Sequence, residues 1–84
     1  MDKKTLGQLV YEQRQAHGYS QFQLGQLIGV TDKAVSKWEN DEACPRFEHC
    51  IRLAAILEIS FDELITVRSN SADTKDKQKG YKNG

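Results

Sequence analysis

Four closely spaced polar residues, Asp32, Lys33, Ser36 and Lys37, carry side chains suited to exchanging hydrogen bonds with a polar surface. Spacings of three and four residues place them on one side of a helix. Carboxylate, ammonium and hydroxyl groups at that spacing complement the donors and acceptors that base pairs present in the major groove of DNA. The sequence offers no nucleophile elbow, Gly-rich phosphate loop or carboxylate pair of the kind that enzymes use, so it predicts a binding face rather than catalysis.

The segment over 20–40, SQFQLGQLIGVTDKAVSKWEN, predicts two short helices joined by a tight turn. Gly29 can adopt the positive φ that ends the first helix, and Gly25 leaves room where the helices cross. The remaining constrained positions carry apolar residues that hold the inner faces together: Leu24, Ile28, Val30, Val35 and Trp38. An ordinary helical hairpin is the alternative. The two glycines and five apolar residues all occur where a helix-turn-helix arrangement requires them. This agreement at seven positions favours a helix pair that leaves its polar face, including Asn40, free to enter a major groove.

The 84 residues suffice for one small core, with 38% apolar and 29% charged residues. A net charge of zero argues against nucleic-acid binding, because DNA-binding domains are often basic. Phosphate contacts depend on the charges near each phosphate, however, so the distribution of charge matters more than the net charge. Lys33, Lys37 and Arg46 lie in or near the helix pair, whereas Glu58, Asp62 and Glu63 lie late in the chain, which predicts a basic face and an acidic back. No apolar run approaches the ~20 residues that span a bilayer, and no signal peptide is evident, so we expect a cytoplasmic protein.

Three helix starts have capping-box spacing, in which Ser or Thr precedes Glu or Gln by three residues. The pairs are Thr5 with Gln8, Ser20 with Gln23, and Ser60 with Glu63. These signals predict a first helix over about 5–17 that Gly18 closes, a second from about 21, a third that Thr31 caps, and a short fifth over 61–67.

A fourth helix is predicted over 47–57, after Pro45, with five residues facing inward: Phe47, Cys50, Ile51, Ala54 and Leu57. From Ser69 onward the sequence has no Ile, Leu, Val, Phe or Trp and cannot offset its ordering entropy by burial. We therefore expect one domain over 1–68, followed by a disordered polar tail over 69–84.

Cys44, His49 and Cys50 are the candidate metal ligands. They are only three, and Cys50 falls on the inward stripe of the fourth helix, whereas structural zinc takes four ligands in defined spacings. The sequence therefore predicts no metal and no cofactor, with both cysteines reduced.

The order of these elements, LGQLVYEQR, YSQFQLGQLIGVTDKAVSKWEN and PRFEHCIRLAAILEISFDELI, resembles the helix-turn-helix domain of the lambda-repressor and Cro family, also called Xre-type regulators of phages and bacteria. The resemblance covers about residues 5–67. It implies an all-α fold of five helices, binding of a palindromic double-stranded DNA operator as a homodimer, and transcriptional regulation, usually repression.

The resemblance also assigns roles to individual residues. Asp32, Lys33 and Lys37 match base-contacting positions, with Ser36 on the same face. Arg14 and Glu39 match a structural salt bridge. The predicted phosphate contacts are Gln21, Thr31, Arg46 and Asn40. Family dimers form through the end of the fifth helix, where we expect Phe61 and Leu64 to face inward and Ile65 and Val67 to make the contact.

Several residues depart from the family pattern. Gly25 replaces an alanine, at a cost of about 1 kcal/mol in helix propensity. Glu58 replaces a helix-closing glycine and should be strained in a left-handed conformation. Arg46 replaces a capping Ser or Asp. Asp32 is either an acid favoured by the helix dipole or an acceptor for a cytosine amino group.

Phe22 and Leu27 are apolar at positions that are normally polar and exposed. They support an alternative function, in which the same fold binds a partner protein as an antitoxin or antirepressor does. The neutral net charge is consistent with that alternative.

Overall fold

The computed structural model describes residues 4–69, and within that range the chain forms five helices. They are α1 (Leu6–His17), α2 (Gln21–Ile28), α3 (Asp32–Glu39), α4 (Phe47–Leu57) and α5 (61–69). The predicted all-α, five-helix fold is confirmed. Ser69, which the sequence assigned to the tail, is helical, and the rest of the predicted disordered tail lies outside the described residues. None of the described helices is long and apolar enough to cross a membrane.

The helix starts follow the predicted capping residues. The Thr5 hydroxyl accepts from the Gln8 backbone N–H at 3.1 Å, and the Gln8 side chain accepts from the Thr5 N–H at 3.0 Å. Ser20 and Gln23 repeat this arrangement at 2.9 and 2.8 Å. The Thr31 hydroxyl accepts from the Ala34 N–H at 3.1 Å and so fixes the first turn of α3. These bonds satisfy N–H groups that the helix itself leaves unpaired.

The turn between α2 and α3 depends on two glycines. Gly29 has φ of 98°, a left-handed conformation that ends α2. A Cβ added to Gly25 would lie 2.7 Å from the Val30 carbonyl oxygen. The glycine therefore permits a close approach of the α2 backbone to the residue that follows the turn.

The core lies between α1, α2, α3 and α4, with Leu64 of α5 completing it. The prediction for α4 is wrong in part, because Phe47 and Ile51 are 55% and 53% exposed, whereas Leu53 is fully buried. Apolar residues occur all round α4, so its sequence did not determine which face turns inward. The buried residues are Cys50, Leu53, Ala54 and Leu57.

The prediction that Phe61 faces inward is also wrong, since its side chain is 38% exposed. It packs edge-on against Phe47, with ring centroids 5.6 Å apart. The two rings border an open apolar groove of about 530 Å³. We call this surface the apolar groove, and its lining residues are Phe47, Ile51, Ala54, Ala55, Ile59 and Phe61. Ile65 and Val67 are partly buried and pack against the core.

Glu58 closes α4 in the left-handed conformation predicted for it, with φ 58° and ψ 44°. Its backbone N–H donates to the Ala54 carbonyl. For a residue with a Cβ this conformation costs about 1–2 kcal/mol.

Candidate nucleic-acid interface

The α3 helix is held by its inner face and leaves its outer face open. Val35 is fully buried and Trp38 is 5% exposed, so both anchor α3 to the core. Asp32, Lys33 and Lys37 are exposed on the outer side, and Ser36 is partly exposed. Among residues 4–69, no hydrogen bond or ion pair engages either lysine side chain. Within the described residues, the two lysine side chains of the outer face are therefore available to contact a ligand.

Three further predicted contact residues flank α3. Thr31 is exposed at its start, with its hydroxyl already engaged as a cap. Asn40 is exposed at its end. Arg46 is exposed at the start of α4 and makes no side-chain capping bond, so its guanidinium is not used to cap that helix. Both ends of the outer face thus carry groups that can donate hydrogen bonds to an anion.

Arg14 and Glu39 form the predicted pair between α1 and the end of α3. Arg14 Nε donates to Glu39 Oε2 at 2.6 Å, and Nη2 donates to Oε1 at 3.0 Å. The side chains are 9% and 5% exposed. The hydrogen bond to Glu39 raises the pKa of the Arg14 guanidinium above its ordinary value. Arg14 Nη1 also donates to the Tyr19 carbonyl at 2.9 Å, which ties the pair to the connection between α1 and α2.

The side chain of Gln21, predicted to contact a DNA phosphate, makes a hydrogen bond within the protein that the sequence did not predict. Its Nε2 donates to Glu39 Oε1 at 3.0 Å, in addition to the bonds from Arg14. Gln21 is the first residue of α2 and is partly exposed. The side chain expected to contact phosphate is therefore attached to the buried ion pair.

Asp41 is a structural residue that sequence analysis missed. It follows α3 with φ of 59° and accepts from the Thr5 hydroxyl at 2.9 Å and the Gly7 N–H at 3.1 Å. Its carboxylate therefore lies at the N-terminus of α1, where negative charge is favoured. A Cβ on Gly7 would lie 2.6 Å from the Trp38 and Glu39 carbonyl oxygens. A glycine inside a helix was the available signal for this close approach of α1 to the end of α3.

Two of the three candidate metal ligands, Cys44 and Cys50, lie in different environments. Cys44 is exposed, whereas Cys50 is fully buried with its thiol 3.9 Å from the Pro45 carbonyl oxygen. Burial raises the pKa of the Cys50 thiol, which favours the neutral form over the thiolate that binds metals. Over the described range 4–69, no three His, Cys, Asp or Glu residues are grouped to hold a metal ion.

Sequence and structure comparisons point to one family. The helix-turn-helix family model matches residues 10–64. Repressor protein C2 of Salmonella phage P22 is 31% identical over 65 residues, which are 77% of this chain and 30% of that protein. The cryptic phage CTXphi transcriptional repressor RstR of Vibrio cholerae is 38% identical over 52 residues, which are 62% of this chain and 46% of that protein. The chain thus spans less than half the length of these relatives.

Two solved structures agree with this similarity. The crystal structure of the P22 c2 repressor protein in complex with a synthetic operator superposes with a TM-score of 0.70 at 31% identity. The match covers 74% of this chain and 94% of that one. The solution structure of the DNA-binding domain of the same repressor gives a TM-score of 0.71 over 77% of this chain. The likeness therefore extends over about three quarters of the chain.

Proposed function

Because the chain belongs to the lambda-repressor-like helix-turn-helix family, we propose that it is a sequence-specific DNA-binding transcriptional repressor. In this proposal α3 enters the major groove of an operator. The observation that carries it is the exposed polar outer face of α3, where Lys33 and Lys37 make no side-chain hydrogen bond or ion pair within residues 4–69. Val35 and Trp38 anchor the opposite face of the helix to the core. A relative that is 31% identical has been crystallised with a synthetic operator, which supports the same use of the fold.

The base contacts are assigned to the exposed side chains of α3. Lys33 and Lys37 lie one turn apart, so both can reach one groove and donate to guanine O6 and N7. Ser36 lies between them and can donate or accept. Asp32 has two candidate roles: it favours the start of α3 through the helix dipole, or it accepts from a cytosine amino group.

The phosphate contacts are assigned to groups at the helix ends: Gln21, Thr31, Asn40 and Arg46. Such contacts fix register without carrying sequence information. Arg46 is the only one of these four with a full positive charge, and its side chain is exposed.

Arg46→Ala is expected to weaken binding to every duplex alike and to reduce the slope of log affinity against log salt by about one unit. A titration of wild type and variant against two unrelated duplexes at several salt concentrations measures both effects. Lys4→Ala is the control, because Lys4 is an exposed cation already paired with Glu12 at 2.7 Å. If the slope of log affinity against log salt were unchanged in Arg46→Ala, Arg46 would make no phosphate contact.

We further propose that two copies bind a palindromic operator, because one helix contacts too few base pairs for useful specificity. Ile65 and Val67 remain predicted contacts, but their packing against the core leaves them limited free surface. The apolar groove offers a larger exposed apolar surface for contact with a second copy. Its lining comes from α4, Ile59 and Phe61 and includes no residue of α3. Residues 70–84 contain one large apolar side chain, Tyr81, and so are poorly suited to fill it.

Ile51→Lys is expected to abolish self-association while leaving the monomer folded, because Ile51 is 53% exposed. Leu27→Lys is the matched control, since Leu27 is 48% exposed on α2 and lies outside the groove. Val67→Asp tests the contribution of α5 separately. Sedimentation of the free proteins, followed by titration of full and half operators, measures the effect. Wild-type protein that bound a half-site as tightly as the palindrome would exclude the dimer.

A partner protein is the second candidate, and the exposed side chains of Phe22 and Leu27 favour it. They are 58% and 48% exposed on α2. As a protein-binding module the chain would contact DNA weakly or not at all.

Titration with a random duplex at rising salt separates the two functions. A DNA-binding domain that makes several phosphate contacts should bind at low salt and lose affinity steeply as salt rises. Absence of binding at low salt would overturn the DNA-binding proposal and favour the partner protein.

A further inference from the structure

The bond between Gln21 and Glu39 connects the predicted phosphate contact to the buried ion pair. We propose that Glu39, held by Arg14, is a positioning residue for DNA binding that fixes the side-chain amide of Gln21 in one orientation. This inference rests on the proposed function, and it assigns to the Arg14–Glu39 pair a role beyond stabilising the fold.

The orientation follows from hydrogen-bonding chemistry. An ionised carboxylate only accepts hydrogen bonds, so the amide of Gln21 must present its nitrogen rather than its oxygen to Glu39. Glu39 cannot turn away, because its two oxygens already accept from Arg14 at 2.6 and 3.0 Å and its side chain is 5% exposed. Arg14 is itself fixed by the Tyr19 carbonyl at 2.9 Å.

The fixed amide keeps one N–H of Gln21 for an outside acceptor. Nε2 carries two hydrogens, and the bond to Glu39 at 3.0 Å uses one. Gln21 is the first residue of α2, where backbone N–H groups also lack helical partners. The second amide hydrogen thus belongs to a residue at a helix N-terminus, where backbone donors favour a phosphate oxygen. A side chain ordered before binding loses less rotamer entropy on contact.

A double-mutant cycle distinguishes positioning from a purely structural role. Gln21→Ala should weaken operator binding about tenfold through the loss of one hydrogen bond to a charged group. Glu39→Gln should also weaken binding, because the new amide can both donate and accept and so permits either orientation of Gln21. In the Gln21→Ala background, Glu39→Gln should have no further effect. Affinities are compared under conditions where circular dichroism shows every variant folded, with Gln26→Ala as the control for an exposed glutamine on α2.

A second measurement needs no substitution at Glu39. The side-chain N–H signals of Gln21, assigned by their loss in Gln21→Ala, should exchange with solvent more slowly than those of Gln26 in free wild-type protein. The positioning role would be overturned if the affinity losses of Gln21→Ala and Glu39→Gln were additive, or if the side-chain N–H groups of Gln21 and Gln26 exchanged at equal rates. Either result would leave the DNA-binding proposal intact. Wild-type protein that bound no duplex would overturn both.

Discussion

Arg14→Met is expected to lower the free energy of unfolding by about 3–5 kcal/mol, because it leaves the carboxylate of Glu39 buried without its cation. Glu39→Leu should have a similar effect, since the guanidinium of Arg14 is then unpaired. The two charges are 9% and 5% exposed, so solvent can replace neither partner. Guanidinium chloride melts of the single variants measure these losses.

The double variant decides whether the two residues act as a pair. Arg14→Met with Glu39→Leu removes both charges and should be milder than the sum of the single variants. It should still be less stable than wild type, because the Tyr19 carbonyl and Gln21 Nε2 lose their partners. Lys4→Met is the control: Lys4 and Glu12 also form a 2.7 Å ion pair, but their side chains are 47% and 51% exposed. Its effect should stay within about 1 kcal/mol, and additive losses at Arg14 and Glu39 would contradict the pair.

Lys37→Ala is expected to weaken operator binding by about 1–3 kcal/mol and to relax the base preference at one operator position. Lys37 is exposed in the last turn of α3, and no described residue engages its ammonium group. Removing it should therefore leave stability almost unchanged. Affinities for the operator and for a set of single-base variants measure the change.

The loss of affinity on different duplexes distinguishes a base contact from a phosphate contact. A base-contacting lysine gives a loss confined to the base pair it faces, whereas a phosphate anchor gives the same loss on every duplex and a lower salt slope. Arg46→Ala supplies the second pattern for comparison. If Lys37→Ala behaved like Arg46→Ala, its assignment to base contact would be wrong.

Local signals explain what the sequence predicted well. Thr5, Ser20 and Thr31 cap helices through bonds to residues three positions away, so their roles depend on short segments alone. The glycine turn at Gly29 is equally local. The polar face of α3 followed from helical periodicity once Val35 and Trp38 were assigned to the core.

Long-range packing explains what the sequence did not predict. The inward face of α4 was ambiguous because apolar residues surround the helix, and only packing against the other helices selects Leu53 over Phe47. The bond from Gln21 to Glu39 joins residues 18 apart in sequence. Asp41 contacts Thr5 and Gly7 across 36 and 34 residues. No short pattern encodes such contacts, although the glycine inside α1 marked one of them.

Selection of a DNA sequence by α3 is measured by comparing the affinity of the protein for two duplexes of equal length and composition. One is the sequence that wild-type protein enriches from a random pool, and the other is its scrambled form. At physiological salt the enriched duplex should bind on the order of 10³-fold or more tightly than the scrambled one. The double variant Lys33→Ala, Lys37→Ala should lose most of that ratio while remaining folded. Equal affinity of the wild-type protein for both duplexes would mean that α3 does not select a DNA sequence.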